Sequence, residues 1–373
     1  MTSGASDDGR IPLSVPTLAG NELAYLSECV AENWVAASGR FVGEFERGFA
    51  DYHGADDALS AQSGTAALHV AMTALGIGPG DEVIVPSLTF VATANPVRYV
   101  GATPVFADVD PLTYGLDVES VRGLVNGRTR AIVPVHLYGH PVDMDPLLEV
   151  ARAAGAYVIE DATEALGSRY RGRLCGTLGD VGCFSFNGNK VITTGGGGMV
   201  LARDPELLRR MRKLTLQGRV PGREYVHDEV GFNYTLSNVQ AAIGVAQLER
   251  LDQLVAARRA VAARYAEALA GVPGLTYCRE AEWAWSNFWL GSVLVDPDAY
   301  GEDRDELMDR LGAAGIEARP FFHPIHRLEP FAVQGGGPLP VAERLHATGV
   351  SIPSSASLAP DAQDRVIDAL ARR

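Results

Sequence analysis

Short apolar segments alternate with stretches long enough to form helices through the first half of the chain. The apolar segments cover residues 82–86, 104–108, 131–136, 156–161 and 181–186. Strands joined through a helix can pair in parallel, because the helix carries the chain back to the end of the sheet where the previous strand began. The alternation therefore predicts an α/β fold with a mostly parallel, doubly wound sheet between layers of helices.

The last of these segments leads into a stretch that presents a single lysine. The turn Asn187-Gly188-Asn189 follows the segment, and Lys190 then precedes a run of four glycines at 195–198. A strand on one side and a glycine loop on the other would hold the amine in place. Schiff-base chemistry requires a fixed amine, because the nitrogen must approach a carbonyl carbon at a set angle. A lysine on an ordinary loop is the alternative that this stretch alone leaves open.

A carboxylate and the start of a helix could bind the same cofactor as that lysine. Asp161 ends the apolar segment 156–161, and parallel strands present functional groups at their carboxyl ends. An acid there and a fixed lysine are the pair expected for pyridoxal phosphate, because a carboxylate keeps the pyridine nitrogen protonated. Ser63, Gly64 and Thr65 open an alanine-rich helix whose free N–H groups suit a phosphate. Plain helix caps are the alternative for both features.

Composition excludes several other classes of function. The net charge of −14 argues against a nucleic-acid binder, which needs a basic field. The first ten residues lack a signal-peptide pattern and no run of eighteen apolar residues occurs, so we expect a cytoplasmic protein without membrane contact. We expect reduced thiols and no metal site, because the cysteines lack metal-binding spacing and Pro324 separates His323 from His326.

Two clusters of cations could bind an anionic substrate in this acidic chain. The first contains Arg319, His323, His326 and Arg327, and the second contains Lys213, Arg219 and Arg223. Solvated surface charge is the alternative for each cluster.

The length of 373 residues allows two domains. We expect a large domain over residues 1–253 and a smaller α+β domain over residues 254–373. The hinge would lie along one long helix from Ser237 to Gly271.

A single helix is also predicted over residues 21–53. Within it, Phe41, Phe45 and Phe49 recur every four residues, which is typical of a face that packs in the core or in a dimer contact.

Six motifs resemble the DegT/StrS family of sugar aminotransferases, and its perosamine-synthase-like members most of all. They occur in the family's order over nearly the whole chain: Ser63-Gly-Thr-Ala-Ala-Leu, Leu88-Thr-Phe90-Val-Ala-Thr, Glu160-Asp-Ala, Phe184-Ser-Phe-Asn-Gly-Asn-Lys190, Gly231-Phe-Asn233-Tyr and Arg319-Pro-Phe-Phe-His-Pro-Ile-His326. The resemblance implies the type I fold of pyridoxal-phosphate enzymes. It also implies transfer of an amino group from L-glutamate to a nucleotide-linked keto sugar, most simply a 4-keto-6-deoxyhexose, with pyridoxamine phosphate as the intermediate form of the cofactor.

The resemblance also assigns roles to individual residues. Lys190 would carry the cofactor and move protons, and Asp161 would hold the pyridine nitrogen. The further cofactor contacts would be Gly64, Thr65, Phe90, Glu164, Ser185 and Asn233, and the substrate contacts would be Arg319, His323 and His326. Phe90 would stack on the cofactor ring, and Asn233 would reach the phosphate of the neighbouring subunit in a homodimer with shared active sites.

Three positions depart from the family pattern. Gly196 replaces a common Glu, Thr235 replaces an Arg, and Glu164 stands where a Gln or His usually contacts the phenolic oxygen of the cofactor. An aminotransferase for a 3-keto or longer-chain nucleotide sugar and a non-catalytic pyridoxal-phosphate-binding regulator therefore remain as alternatives. A dehydratase is disfavoured, because those relatives replace the lysine by histidine.

Overall fold

A computed structural model describes residues 9–222, 224–332 and 337–371. The helices are α1 Glu22–Ala31, α2 Arg40–His53, α3 Gly64–Ala74, α4 Asn95–Tyr99, α5 Val118–Leu124, α6 Met144–Ala154, α7 Pro205–Thr215, α8 Asn238–Leu248, α9 Leu251–Ala268, α10 Pro297–Tyr300, α11 Arg304–Ala313, α12 Pro340–Thr348 and α13 Pro360–Ala371. The strands are β1 Leu59–Ala61, β2 Glu82–Pro86, β3 Thr103–Ala107, β4 Thr129–Ile132, β5 Tyr157–Asp161, β6 Arg169–Tyr170, β7 Arg173–Leu174, β8 Val181–Ser185, β9 Gly198–Ala202, β10 Leu275–Tyr277, β11 Ala284–Trp285, β12 Gly291–Val295, β13 Arg319–Pro320 and β14 Gly349–Ile352.

The large sheet has the strand order β1-β9-β8-β5-β4-β2-β3. The pairs from β3 to β8 are parallel, whereas β9 runs antiparallel to both of its neighbours. Val83 packs with α3 and α7 on one face, and the next residue, Ile84, packs with α5 and α6 on the other. Successive strand residues point to opposite faces, so helices cover the sheet on both sides. The predicted α/β class and mostly parallel sheet are confirmed.

The aromatic stripe of α2, formed by Phe41, Phe45 and Phe49, packs against the carboxyl end of β8. The ring centroid of Phe49 lies 4.9 Å from that of Phe184, and the centroid of Phe45 lies 5.0 Å from that of Phe186. All four side chains are fully buried, and each such burial contributes about 2 kcal/mol to stability. The stripe is therefore core, and it fixes the strand that leads to Lys190.

A second, antiparallel sheet has the order β10-β12-β14-β13 and lies beyond α9 along the chain. The proposed division between residues 253 and 254 falls inside α9, and it stays a prediction. One N-terminal residue belongs to the far side of it, because Ile11 bridges to Ile316 and packs in the core of the second sheet.

Two predicted long helices are each broken in two. Residues 21–53 form α1 and α2, separated by a turn in which Asn33 adopts φ 59°. The span from Ser237 to Gly271 forms α8 and α9, which are separated by Glu249 and Arg250. A residue with a positive φ cannot continue a right-handed helix, so Asn33 ends α1. The break after α8 lets α8 pack against α1 and α2 while α9 packs against α13. The single-helix predictions are wrong at these points.

Candidate active site

The two acids at the end of β5 point to opposite faces of the sheet, as the strand's alternation requires. Glu160 is fully buried and accepts hydrogen bonds from the N–H groups of Gly176, Leu178 and Gly179 at 2.6 to 2.7 Å. Asp161 accepts bonds from the hydroxyls of Thr93 at 2.8 Å and Thr163 at 2.6 Å. Glu160 therefore anchors a loop, and Asp161 is the acid that the site can use.

Lys190 lies beside a buried carboxyl group and an aromatic ring. Its Nζ is 3.5 Å from Glu164 Oε1 and 3.8 Å from the centroid of the Trp289 ring. Glu164 also accepts a hydrogen bond of 2.8 Å from the N–H of Tyr138. Burial raises the pKa of Glu164, and the pull of Lys190 in the other direction does not cancel that rise. Asp161 adds to the rise, so Lys190, Glu164 and Asp161 form one electrostatic group.

The start of α3 lies next to this group. A Cβ at Gly64 would be 2.9 Å from both Ser185 Cβ and Thr163 Cγ2, so only a glycine leaves room here. The Ser63 side chain caps the helix by accepting a bond from the N–H of Ala66. The N–H groups of Gly64 and Thr65 at the first turn remain available to an anion near Ser185.

Phe90 flanks the site from the loop after β2. Its side chain is 54% exposed, and its ring centroid lies 5.6 Å from that of Phe322. Phe322 in turn stacks on Tyr138, with 5.6 Å between centroids and 27° between planes. An exposed flat ring three residues before Thr93, the partner of Asp161, is placed to cover a planar ligand held by that acid.

The remaining predicted contacts lie farther out. Asn233 is exposed where the chain bridges back to Leu216. Arg319 is exposed and paired with Glu317 at 2.7 Å, and the exposed ring of His323 lies 4.8 Å from that of His346.

His326 is buried and joins two parts of the molecule. Its Nδ1 lies 2.5 Å from the Ser87 hydroxyl, and its Nε2 lies 3.0 Å from Glu343. Both ring nitrogens thus have partners inside the chain. The substrate roles of Arg319, His323 and His326 stay predictions.

The second cation cluster is divided among different partners. Lys213 pairs with Asp228 and Glu229. Arg219 stacks on Tyr225 with 4.0 Å between the guanidinium carbon and the ring centroid. Arg223 lies outside the described residues.

Residues 16–371 match the DegT/DnrJ/EryC1/StrS aminotransferase family. The chain belongs to this family. It is 48% identical over 366 residues to the GDP-perosamine synthase of Caulobacter vibrioides, covering 98% of each chain.

Solved structures of family members agree with the fold. The aminotransferase DesV from S. venezuelae, in complex with a ketimine intermediate, has a TM-score of 0.89 and 37% identity, with coverage of 96% of this chain and 98% of that one. The PMP form of the putative sugar aminotransferase Spr1654 from Streptococcus pneumoniae has a TM-score of 0.91 and 26% identity, with the same coverage. The family is dependent on pyridoxal phosphate, and this chain is an aminotransferase of that kind.

The residues present fit that cofactor. A phosphate needs N–H donors, and the first turn of α3 offers them in a place where Gly64 leaves no side chain. A protonated pyridine nitrogen needs a buried acid, and Asp161 is 3% exposed. An aldehyde needs an amine, and Lys190 is one of two lysines in the chain, the other being Lys213, which is held by two acids.

Sequence reasoning missed three features of the site. Thr93 fixes Asp161, Trp289 covers Lys190, and Tyr138 orients Glu164 through a backbone N–H at φ 52°. The count of lysines was a signal that could have identified Lys190 directly. Within the described ranges, no helix is long and apolar enough to cross a membrane, and no cluster of three metal-ligating side chains occurs.

Proposed function

We propose that this protein transfers an amino group from L-glutamate to a nucleotide-linked 4-keto-6-deoxyhexose. The observation that carries the proposal is the group formed by Lys190, Glu164 and Asp161 beside the start of α3. The named relatives support the substrate class, since a GDP-perosamine synthase is 48% identical over nearly the whole length. The structure of DesI was determined with its TDP-sugar product, at a TM-score of 0.91 and 34% identity.

Each residue has a separate task in this reaction. In the first half of the reaction Lys190 Nζ takes the proton from the α carbon of the amino donor and would give it to the cofactor carbon that carries the transferred nitrogen. In the second half it would take a proton back from that carbon and deliver it to the sugar carbon that receives the nitrogen. Asp161, fixed by Thr93 and Thr163, holds the proton on the pyridine nitrogen. Pyridoxal phosphate, when bound, supplies the electron sink for the charge left on the donor carbon.

Glu164 controls the charge around the lysine. Its raised pKa favours the neutral acid, which can donate a hydrogen bond to a phenolic oxygen where relatives use Gln or His. The 3.5 Å between Glu164 Oε1 and Lys190 Nζ is also long for a charge-assisted hydrogen bond, so the acid does not hold the lysine tightly. The departure at Glu164 is therefore compatible with transamination.

The proposal includes a homodimer in which Asn233 reaches the phosphate of a neighbouring copy. Asn233 is exposed, and exposed apolar side chains occur on the same hairpin, where Val230 is 90% exposed and Tyr225 is 80% exposed. Arg219 on this hairpin would supply charge for the nucleotide diphosphate, because guanidinium groups suit phosphate oxygens. The cytoplasmic location likewise stays a prediction.

The deciding experiment runs the reaction backwards. Purified protein is given 2-oxoglutarate with GDP-, dTDP- and UDP-linked amino sugars, each carrying the amino group at carbon 3 or carbon 4, and glutamate formation is measured. We expect turnover with a 4-amino-6-deoxy sugar. Turnover only with a 3-amino sugar would favour the alternative substrate. No turnover of any sugar, together with no conversion of the bound cofactor to pyridoxamine phosphate by L-glutamate, would favour a non-catalytic regulator.

A further inference from the structure

Trp289 covers the amine of Lys190 with the face of its indole ring. The 3.8 Å between Nζ and the ring centroid is within the range of a cation–π interaction. Trp289 is 3% exposed, and only 13% of the Lys190 side chain is exposed, so little water competes for the ammonium group. Such an interaction stabilises the protonated amine more than the neutral one, because only the cation is attracted to the negative ring face.

The indole also holds the turn on which Lys190 stands. Trp289 Nε1 donates a hydrogen bond of 2.6 Å to the carbonyl of Asn189, the residue before the lysine. The Ser14 hydroxyl donates to the same carbonyl at 3.1 Å. Ring and turn are thus locked together, which keeps the ring face over the amine.

A buried arginine fixes the main chain of Trp289. Arg258 is 2% exposed and donates hydrogen bonds to the carbonyls of Trp289 at 2.9 Å and Ser354 at 2.7 Å. Asn287 Oδ1 accepts a bond of 2.8 Å from the N–H of Trp289. The indole therefore has little freedom to move away from Lys190.

We propose that Trp289 is a positioning residue that receives the Lys190 ammonium between the two proton transfers. The inference rests on the proposed function, because it assigns a place to the lysine when that residue is not bound to the cofactor. Trp289 holds the proton-carrying lysine near its site of use and excludes water from it. The ring does so without an opposite charge, which would bind the proton too tightly to be returned.

Three other ionisable groups lie near Lys190 or contact its neighbours. Glu164 Oε1 lies 3.5 Å from Nζ, Asp161 raises the pKa of Glu164, and the Arg258 guanidinium donates a hydrogen bond to the carbonyl of Trp289. Substitutions of Trp289 leave all three groups in place, but leucine and phenylalanine also remove the hydrogen bond to Asn189, so only fluorinated tryptophan isolates the contribution of the ring face.

The test is a titration of Lys190 in the full-length protein loaded with pyridoxamine phosphate, in which the lysine is free. Reductive methylation with ¹³C-formaldehyde before pyridoxamine phosphate is added labels both lysines and the N-terminal amine, and Lys213→Arg assigns the lysine signals. We expect Trp289→Leu to lower the midpoint of Lys190 by about one pH unit, and Trp289→Phe to lower it less. The Lys213 signal is the internal control and should not move.

Fluorinated tryptophan at position 289 keeps the shape and the N–H group while weakening the negative ring face. We expect the Lys190 midpoint to fall stepwise with the number of fluorine atoms, which a purely structural role would not produce. An unchanged midpoint in the fluorinated protein would overturn the proposal, even if Trp289→Leu failed to fold. The titration needs no sugar, so a failure to turn over any nucleotide sugar would refute the proposed function without affecting this result.

Discussion

Lys190 and Lys213 are the two lysines of this chain, so a substitution of one is the control for the same substitution of the other. Lys190→Ala should abolish both turnover and the visible absorbance of the purified protein, because Lys213 is held on the surface by Asp228 and Glu229. Lys213→Ala should retain both properties. Absorbance spectra before and after borohydride reduction check this, and a reducible chromophore in Lys190→Ala would contradict the assignment.

Glu164 should make the stability of the cofactor-free protein depend on pH. Burial raises its pKa above the value in the unfolded chain, so folding favours the protonated carboxyl group. That contribution is fully present below the unfolded pKa and is lost as the pH rises through the folded one. Glu164→Gln cannot ionise, so its Tm relative to wild type should increase from about pH 4.5 to pH 8.

Thermal unfolding across that pH range measures the effect. Glu343→Gln is the control, because the pKa of this acid is lowered by hydrogen bonds from Arg327 and His326. Its Tm relative to wild type should stay nearly constant across this range, because an acid with a lowered pKa loses its contribution to stability only as the pH falls below about 4.5. A pH-independent difference for Glu164→Gln would mean that the carboxyl group is not perturbed by burial.

The sequence located some residues of the site and not others for a physical reason. Lys190 and Asp161 each follow an apolar strand, so local patterning places them at the edge of the sheet. Trp289 and the Lys190 turn meet across 100 residues of sequence, and no local pattern predicts that contact. The stacking role of Phe90 is assigned by the resemblance and stays a prediction, because an exposed aromatic on a loop has no periodic signal.

Element boundaries were predicted best where capping residues mark them. Ser237 caps α8 by accepting a bond from the N–H of Gln240, and this helix begins where the sequence predicts a helix start. Asp204 and Asp303 cap α7 and α11 in the same way. The break between α8 and α9 contains Glu249 and Arg250, which have no turn chemistry of their own. Tertiary packing, rather than local sequence, ends α8.

The segment from Gly231 to Tyr234 is the element that a shared active site would require. Mixing Lys190→Ala subunits with Asn233→Ala subunits should restore about a quarter of wild-type activity, because half of the randomly formed dimers contain one intact site out of two. Each variant alone should be inactive. Activity assays before and after exchange, with dimers separated by affinity tags, test this prediction. Absence of rescue in confirmed heterodimers would mean that each site is self-contained.

At the scale of the whole molecule, the surface around α1 carries unusual apolar exposure. Leu23, Val30 and Trp34 are 70%, 66% and 52% exposed. Val30→Glu should weaken self-association by a factor of about ten or more and reduce activity in parallel, since an unpaired buried carboxylate is costly.

Leu112→Glu is the matched control for that substitution. Leu112 is 76% exposed on the loop after β3 and lies away from α1 in the sequence. Analytical ultracentrifugation and activity at several protein concentrations compare the two variants. Equal behaviour of Val30→Glu and wild type would exclude α1 from the interface.

The hydrogen bonds between the two sheets have a consequence for how ligands enter. His326 ties Ser87 to Glu343, Asp108 accepts the N–H groups at the start of α12, and Trp289 holds the carbonyl of Asn189. A hinge-like opening would break all of these bonds at once, at roughly 1 kcal/mol each. We therefore expect a sugar nucleotide to enter by movement of surface hairpins rather than by separation of the two sheets, so the spacing between the sheets is set before any ligand binds.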